Sequence, residues 1–234
     1  MFTHLHLHTE YSLLDGLGKI KEYVSRAKAL GMTSLAITDH GTASGLVSFY
    51  SECKKQGIKP VLGCEFYEAP HGRTEQDNSD RYNHLVILVK NETGYKNLCR
   101  LVSRSNTEGF YYKPRIDKEL LSEFHDGLIC LSGCVSGRIA KDILDGNLEM
   151  AKNDALWYRS VFGDDFYLEM PQKKKLLKKT SVESSSAVPL QAEPAPVSEP
   201  DARTENSPST EKKVLKKKVL QPATAKARSE HDDI

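Results

Sequence analysis

The segment from residue 173 to residue 234 has no aromatic residue, no cysteine and no glycine, although it holds six of the ten prolines. A segment without aromatic side chains buries too little apolar surface to offset the conformational entropy that ordering removes. We therefore predict two parts. A structured domain spans residues 1–171, and a disordered tail rich in lysine, proline, serine and glutamate spans residues 172–234.

The net charge of +1 conceals an uneven distribution of charge along the chain. Residues 173–234 carry 13 Lys and Arg against 9 Asp and Glu, whereas residues 1–172 carry 20 against 23. Two basic clusters, "KKKLLKK" and "KKVLKKKVL", flank the proline-rich stretch of the tail. They would allow the tail to contact nucleic acid or another acidic surface, while solvated disorder is the simpler expectation.

Membrane and secretion signals are also missing from the sequence. No apolar run approaches the roughly 18 residues of a membrane span, and the start "MFTHLH" lacks a charged region followed by an apolar core. The five cysteines are odd in number and scattered, which suits a reducing compartment. We therefore expect a cytoplasmic protein with no membrane contact. The absence of Walker-type and GxGxxG loops leaves a P-loop or Rossmann fold without support.

Short apolar runs alternate with amphipathic stretches over the first 170 residues. Helical spacing is clear in "KIKEYVSRAKALG" and "SGLVSFYSECKKQG", each of which ends in glycine. Six runs are predicted as strands: "THLHLH", "TSLAITDH", "KPVLGCEFYEA", "HLVILVK", "DGLICLSG" and "DFYLEM". Strands separated by helices of this length predict parallel βα units. The expected fold class is therefore α/β, a TIM-like barrel or part of one.

Chemically active side chains fall where these predicted strands end, which is where β/α barrels carry function. His6 and His8 end the first strand, Asp39 and His40 the second, and Glu65 lies late in the third. Cys134 follows the fifth strand, whereas His84 stands at the start of the fourth and is an exception.

The strand-end histidines have a structural and a functional interpretation. A single histidine in a strand is usually a hydrogen-bonded structural residue, and an isolated HxH pair is a weak signal. Residues two apart share one face of a strand, so His6 and His8 could chelate one ion. Ligands on successive strand ends are a stronger signal and predict a multi-metal phosphoesterase. Glu65 and Asp15 could bridge ions or orient water, and a Cys134 thiolate would favour zinc or iron.

Several motifs together resemble one family. They are "HLHLHTEYSLLDG", "AITDHGTASG", "GCEFY", "NHLVILVKNETGYKNL", "FYYKPRID" and "LSGCVSG". In this order they look like the amino-terminal PHP (polymerase and histidinol phosphatase) domain of bacterial DNA polymerase III alpha subunits, over residues 1 to about 170. The resemblance implies a distorted (β/α)7 barrel with up to three divalent metal ions, of zinc, manganese or iron.

The resemblance also implies roles for individual residues. The implied metal ligands are His6, His8, Asp15, His40, Glu65, His84 and Cys134. Among these residues, the implied catalytic roles fall to His8, Asp15 and Glu65. His4 would be structural or support the ligands, Asp39 would orient His40 or the helix start, and Thr9 and Ser12 would brace the loop.

The sequence departs from the family pattern in two ways. The last metal motif, an Asp-x-His pair on a further strand, has no counterpart, since the only later histidine is His231 in "EHDDI". The polymerase regions are also missing. We therefore expect an incomplete barrel of about six strands, poorly stable alone and weakly active or inactive. Truncation, frameshift, fusion and misassembly of a longer gene remain open as causes.

Three functions remain open on the sequence. The first is a PHP domain of a polymerase III alpha subunit, of the phosphoesterase or 3′–5′ exonuclease type in the intact parent, with DNA and the other replicase subunits as partners. The second is a stand-alone metal-dependent phosphatase acting on a small phosphate ester. The third is a non-catalytic module that binds DNA or a protein partner.

Overall fold

The computed structural model describes residues 2–13, 15–76 and 82–170. Within these ranges the chain is a mixed α/β structure. The strands are β1 (Ser34–Ile37), β2 (Lys59–Glu68), β3 (Asn83–Val89), β4 (Phe110–Tyr111), β5 (Lys113–Ile116), β6 (Leu128–Leu131) and β7 (Phe166–Tyr167). The helices are α1 (Ile20–Ala29), α2 (Leu46–Gln56), α3 (Glu92–Thr107), α4 (Lys118–Glu123), α5 (Arg138–Leu144) and α6 (Leu148–Phe162).

Strand β2 organises the sheet, whose order is β4-β5-β2-β3-β6-β7 with β1 also paired to β2. One edge of β2 pairs with β3, while the other edge pairs with β1 near its start and with β5 near its end. Strand β3 is antiparallel to both β2 and β6, whereas β6 and β7 are parallel. The prediction of uniformly parallel βα units is therefore wrong at β3.

The first predicted strand, residues 3–8, does not form a strand in the structure. The segment still lies beside β1, because the amides of Ala36 and Thr38 donate to the carbonyls of His4 and Leu7. Its own amides bond to side chains instead: Leu7 N donates to Thr38 Oγ1 and Thr9 N to an Asp39 carboxylate oxygen. Side-chain acceptors thus take the place of a backbone ladder.

The helices cover the sheet with the apolar faces that their spacing predicts. In α1, Ile20, Val24 and Ala27 are buried, although Leu30 is exposed. Helix α2 buries Phe49 and ends at Gly57, whose φ of 77° is the left-handed conformation that a glycine C-cap supplies. Fully burying one such large apolar side chain contributes about 1.5–3 kcal/mol.

The sequence does not predict three short elements: strands β4 and β5, which form a hairpin, and helix α4. Helix α4 begins where the Asp117 side chain accepts a hydrogen bond from Leu120 N. Elements of two to six residues are too short to display a hydrophobic period.

The predicted tail, residues 172–234, lies outside the described residues. Within the ranges that are described, none of the helices combines the length and apolarity that a membrane crossing requires.

Candidate metal centre

The centre is built around Glu65, which lies in β2 with 1% of its surface exposed. A buried carboxylate is costly unless charges or hydrogen bonds compensate it. Four imidazole rings provide that compensation, two from the segment that precedes α1 and two from the ends of the sheet strands. The carboxylate is therefore placed by the fold and surrounded by nitrogen atoms.

The first pair of rings comes from the "HLH" segment beside β1. His6 Nε2 lies 3.1 Å from Glu65 Oε1, and His8 Nε2 lies 3.6 Å from Glu65 Oε2. The two rings are edge to face, with their centroids 5.0 Å apart. As predicted from their spacing, both side chains point to the same site, even though the segment is not a regular strand.

The second pair of rings consists of His40 and His84. His40 follows β1 and forms an isolated parallel bridge with Glu65, which places its Nδ1 2.5 Å from Glu65 Oε2. His84 Nδ1 lies 3.0 Å from Glu65 Oε1. The exceptional position of His84 is explained by strand direction, because the start of the antiparallel β3 pairs with the end of β2, Tyr67 facing His84.

These residues form two potential ligand groups that share Glu65. One group is His6, His8 and Glu65, and the other is His40, Glu65 and His84; in each, the candidate ligand atoms lie within 4.8 Å of one another. A carboxylate that belongs to both groups is in the position of a bridging ligand between two divalent ions.

Unsatisfied polar atoms show that these residues fit a metal centre. Buried nitrogen or oxygen atoms without a hydrogen-bond partner among the described residues include His6 Nε2, His8 Nδ1, His40 Nδ1 and Glu65 Oε2. His40 Nδ1 and Glu65 Oε2 are close but do not have hydrogen-bond geometry. Buried polar atoms are rarely left unpaired in proteins. Imidazole nitrogen and carboxylate oxygen atoms gathered within 4.8 Å of one another, as in each group, are a donor set that suits a divalent ion.

Burial and the neighbouring charged groups determine which residues of the centre are protonated. Burial opposes charge on Glu65, but the close imidazole groups of His40, His6 and His84 outweigh it and hold the pKa of this carboxyl far below its usual range. Burial likewise opposes charge on His6, yet Glu169 and Glu65 raise its pKa to about 10. Burial and the neighbouring charge of His40 lower the pKa of His8, which favours the neutral ring that binds metals.

Asp39 braces the loop that carries the first two histidines. It is 1% exposed, and its carboxylate accepts hydrogen bonds from Thr9 N at 2.6 Å, Thr9 Oγ1 at 2.8 Å and Ser12 Oγ at 2.6 Å. Ser12 Oγ in turn accepts from His40 N at 3.1 Å. Asp39 thus links the loop of His6 and His8 to the backbone of His40, which agrees with the predicted orienting role.

The remaining predicted residues lie outside the two ligand groups. Asp15 is half exposed, and its Oδ2 lies 2.7 Å from His40 Nε2, so that it contacts a candidate ligand directly. The Sγ of Cys134 accepts a hydrogen bond from Ser136 N at 3.4 Å, and Cys134 belongs to neither group. His4 packs against Phe2 instead, with ring centroids 4.7 Å apart. Ligation by Asp15 and by Cys134 stays a prediction.

Glu169 is a site residue that sequence reasoning missed. Its Oε1 lies 2.7 Å from His6 Nδ1, and its Oε2 is buried without a hydrogen-bond partner among the described residues. Its backbone N–H donates to Ser132 Oγ at 2.9 Å. The available signal was its position near the end of the last predicted strand, "DFYLEM", where it follows the apolar run "FYL".

Comparisons with known proteins point to one family. A sequence model of the PHP domain matches residues 4–173. The DNA polymerase III subunit alpha of Borreliella burgdorferi is 51% identical over 172 residues, covering 72% of this chain and 15% of that protein. The corresponding subunit of Chlamydia trachomatis is 45% identical over 181 residues, covering 76% of this chain and 15% of that protein. The chain therefore spans about 15% of the length of these relatives.

A solved amidohydrolase structure from Chromobacterium violaceum is 14% identical and covers 72% of this chain and 85% of that one, with a TM-score of 0.42. This overlap is too partial to assign a barrel. The family match extends over most of the chain and includes every residue of both ligand groups. The resemblance inferred from the motifs is confirmed, and the chain belongs to the PHP domain family.

Proposed function

We propose that this chain is the PHP domain of a DNA polymerase III alpha subunit, and that in the intact parent its centre hydrolyses phosphodiesters with bound divalent ions. The observation that carries the proposal is the position of Glu65 between two histidine pairs, in both potential ligand groups. A shared carboxylate between two ions is the arrangement that serves in-line displacement at phosphorus. The relatives named DNA polymerase III subunit alpha support the assignment to that protein.

Zinc, manganese or iron are the proposed metals, because imidazole nitrogen dominates the donor set. When bound, these ions supply Lewis-acid chemistry for attack at phosphorus. Glu65 and the four histidines would hold them, with Asp15 and Cys134 as further proposed ligands. His8 keeps a neutral ring, Asp15 holds the ring of His40, and Glu65 supplies negative charge between the two histidine pairs.

The proposed fold is an incomplete, distorted (β/α)7 barrel over residues 1–171. Support comes from the contact between His6, beside β1, and Glu169, just after β7. The segment of His6 lies beside β1, which pairs with β2, whereas β7 lies beyond β3 and β6, so the two side chains meet only if the sheet bends round the centre. Residues 172–234 are proposed as a separate disordered tail.

For the intact parent, the proposed substrate is DNA, the activity is 3′–5′ exonuclease or a related phosphoesterase, and the partners are the other replicase subunits in the cytoplasm. The tail is proposed to add a nucleic-acid contact through its basic clusters. In the isolated chain we expect weak or no activity, because the counterpart of the last Asp-x-His motif is missing from the sequence.

Metal content and hydrolysis test the proposal on the full chain. The chain is loaded with zinc, manganese or iron, the bound ions are counted, and digestion of a 5′-labelled single strand is measured beside hydrolysis of a small phosphate ester. His8→Ala should reduce metal content and any hydrolysis, whereas His71→Ala, which changes an exposed histidine outside both groups, should change neither.

The outcomes separate the candidate functions. Preference for the small ester would favour a stand-alone phosphatase over the polymerase-type domain. A chain that binds no metal, or hydrolysis that survives His8→Ala unchanged, would refute the assigned centre.

A further inference from the structure

A cleft of about 600 Å³ opens beside the metal centre. His40, a member of the second ligand group, lies in its wall together with Lys113 from the start of β5. The cleft therefore gives a ligand direct access to the edge of the centre.

Lys113 is the cation of this cleft and lacks a carboxylate partner. Within the described part of the chain, no carboxylate lies within ion-pair distance of its ammonium group. The carboxylate of Glu10 also lines the cleft, but its Oε2 accepts a hydrogen bond from Ile20 N at 2.8 Å, at the start of α1. A cation without an ion pair beside a phosphoesterase centre favours an anionic ligand.

Aromatic contacts hold the Lys113 ammonium close to the centre. Its Nζ lies 5.4 Å from the centroid of the Tyr67 ring. The Tyr67 ring is in turn stacked on His40, with centroids 5.8 Å apart and planes 12° from parallel. A cation–π contact orients the ammonium without neutralising its charge. The Tyr67 ring thus links the positively charged Lys113 side chain to the candidate metal ligand His40.

The backbone around Lys113 is also constrained. Tyr111 pairs with Lys113 across the β4–β5 hairpin, and Tyr112 between them has a φ of 58°, which is rare for a residue other than glycine. Strained residues of this kind cluster at functional sites. The hairpin presses on the loop after β1, since a Cβ at Gly41 would lie 2.7 Å from Pro114 Cγ. The position of Lys113 relative to His40 is therefore fixed by backbone packing.

The other residues of the cleft wall suit a ligand in which a ring is attached to a phosphate group. Tyr11 is 37% exposed and Leu13 is 83% exposed, and both line the cleft with Pro114. The hydroxyls of Thr42 and Ser44, 2.8 Å apart, add polar groups near His40. An apolar wall beside a cation and two hydroxyls matches a ligand with a planar base, a sugar and a phosphate.

We propose that this cleft binds the terminal nucleotide of the substrate, with Lys113 contacting a non-bridging phosphate oxygen and Tyr11 and Pro114 contacting the base. The inference rests on the proposed phosphoesterase function, and it names residues that would hold the substrate at that same site. Lys113 is then a substrate-binding residue outside the metal ligand set.

Binding of deoxyadenosine monophosphate to the metal-loaded full chain, measured by calorimetry, tests the inference. Lys113→Met should weaken binding by about tenfold or more, as expected for loss of a charged hydrogen bond. Lys113→Arg should retain most of the affinity, because it keeps the charge. The matched control is Lys21→Met, which changes an exposed lysine of α1 and should leave binding unchanged. Equal metal content in all variants verifies that the centre is intact.

A further probe separates phosphate contact from base contact. Inorganic phosphate should bind more weakly than the nucleotide and should also depend on Lys113. The inference is overturned if the wild-type chain does not bind the nucleotide, or if Lys113→Met binds it as tightly as wild type.

Failure of the proposed function would look different. In that case the chain would bind no metal, or any hydrolysis would survive His8→Ala unchanged, while nucleotide binding that depends on Lys113 would still support the cleft.

Discussion

Glu169 Oε1 lies 2.7 Å from His6 Nδ1, so a residue after the last strand contacts a ring from the first segment of the chain. The Glu169 backbone is itself held, because its N–H donates to Ser132 Oγ after β6. A carboxylate bound to one imidazole nitrogen fixes the ring orientation and directs the other nitrogen at the metal. In this structure the directed atom is His6 Nε2, 3.1 Å from Glu65.

Replacing Glu169 should therefore weaken metal binding without removing a ligand of either group. We expect Glu169→Ala to lower metal affinity by about 10–100-fold, the range for residues that orient metal ligands. Glu169→Gln should lose less, since its amide oxygen can still accept a hydrogen bond from His6 Nδ1. Competition with a chromophoric chelator measures the affinity. Glu149→Ala, at an exposed position of α6, is the control, and an unchanged affinity for Glu169→Ala would contradict the role.

Asp39→Asn should loosen the loop that carries His6 and His8. The amide nitrogen cannot accept the hydrogen bonds that the carboxylate receives from Thr9 and Ser12. Loss of buried, charge-assisted bonds predicts destabilisation by about 2–3 kcal/mol. Hydrogen exchange of residues 7–12 should accelerate, and metal affinity should fall with it. Protection equal to wild type at these amides would show that Asp39 does not brace the loop.

Much of the fold follows from local sequence, because long amphipathic segments reveal their period. Helices α1 and α2 lie where the spacing predicts them. The alternation of residues 3–8 predicts a strand, and that prediction is wrong. The amides of Leu7 and Thr9 bond to the Thr38 and Asp39 side chains instead of to a neighbouring strand. The direction of β3 was also missed, because hydrophobic alternation carries no information about which way a strand runs.

The candidate site was predictable to the extent that its residues belong to motifs. His6, His8, His40, Glu65 and His84 were all identified from sequence, and the structure brings them together. Glu169 belongs to no motif, and it reaches the centre only through contacts between distant segments. Such long-range approach depends on the whole sheet, so a local pattern cannot reveal it.

Metal binding should be accompanied by proton release. In the metal-free chain, the carboxylates of Glu169 and Glu65 raise the pKa of His6 to about 10, so this ring is protonated at neutral pH. A metal ion binds only the deprotonated nitrogen. Affinity is therefore expected to increase as pH rises from 6 to 8. Calorimetry in buffers of different ionisation enthalpy measures the released protons, and the absence of release at pH 7 would contradict the expectation.

Asp154 should make stability depend on pH in the acid range. Burial opposes its charge, but Lys118, at 2.6 Å, and Arg138 outweigh burial and lower its pKa. A carboxyl with a lowered folded-state pKa stabilises the fold above its unfolded pKa, near 4, and loses that contribution as pH falls through the folded value.

The variant Asp154→Asn isolates this contribution. At pH 7 it should be less stable than wild type by about 2 kcal/mol, since one partner of a buried ion pair is removed. The difference should shrink below pH 4. Urea unfolding followed by the fluorescence of Trp157, the single tryptophan, measures it. Asp164→Asn, at a fully exposed carboxylate, should show no such trend, and a gap that is equal at pH 3 and pH 7 would exclude the ionic contribution.

The reversed direction of β3 has a consequence for how this domain can diverge. Because β2 and β3 are antiparallel neighbours, the end of β2 and the start of β3 lie at the same edge of the sheet, where Glu65 and His84 meet. In a uniformly parallel barrel, half of the connections lie on the opposite face, where changes in length are remote from function. Here an insertion or deletion between β2 and β3 would join the sheet at the edge that carries the two candidate ligands. Under the proposed function, variation in length between β2 and β3 would alter substrate access without a change in any candidate metal ligand.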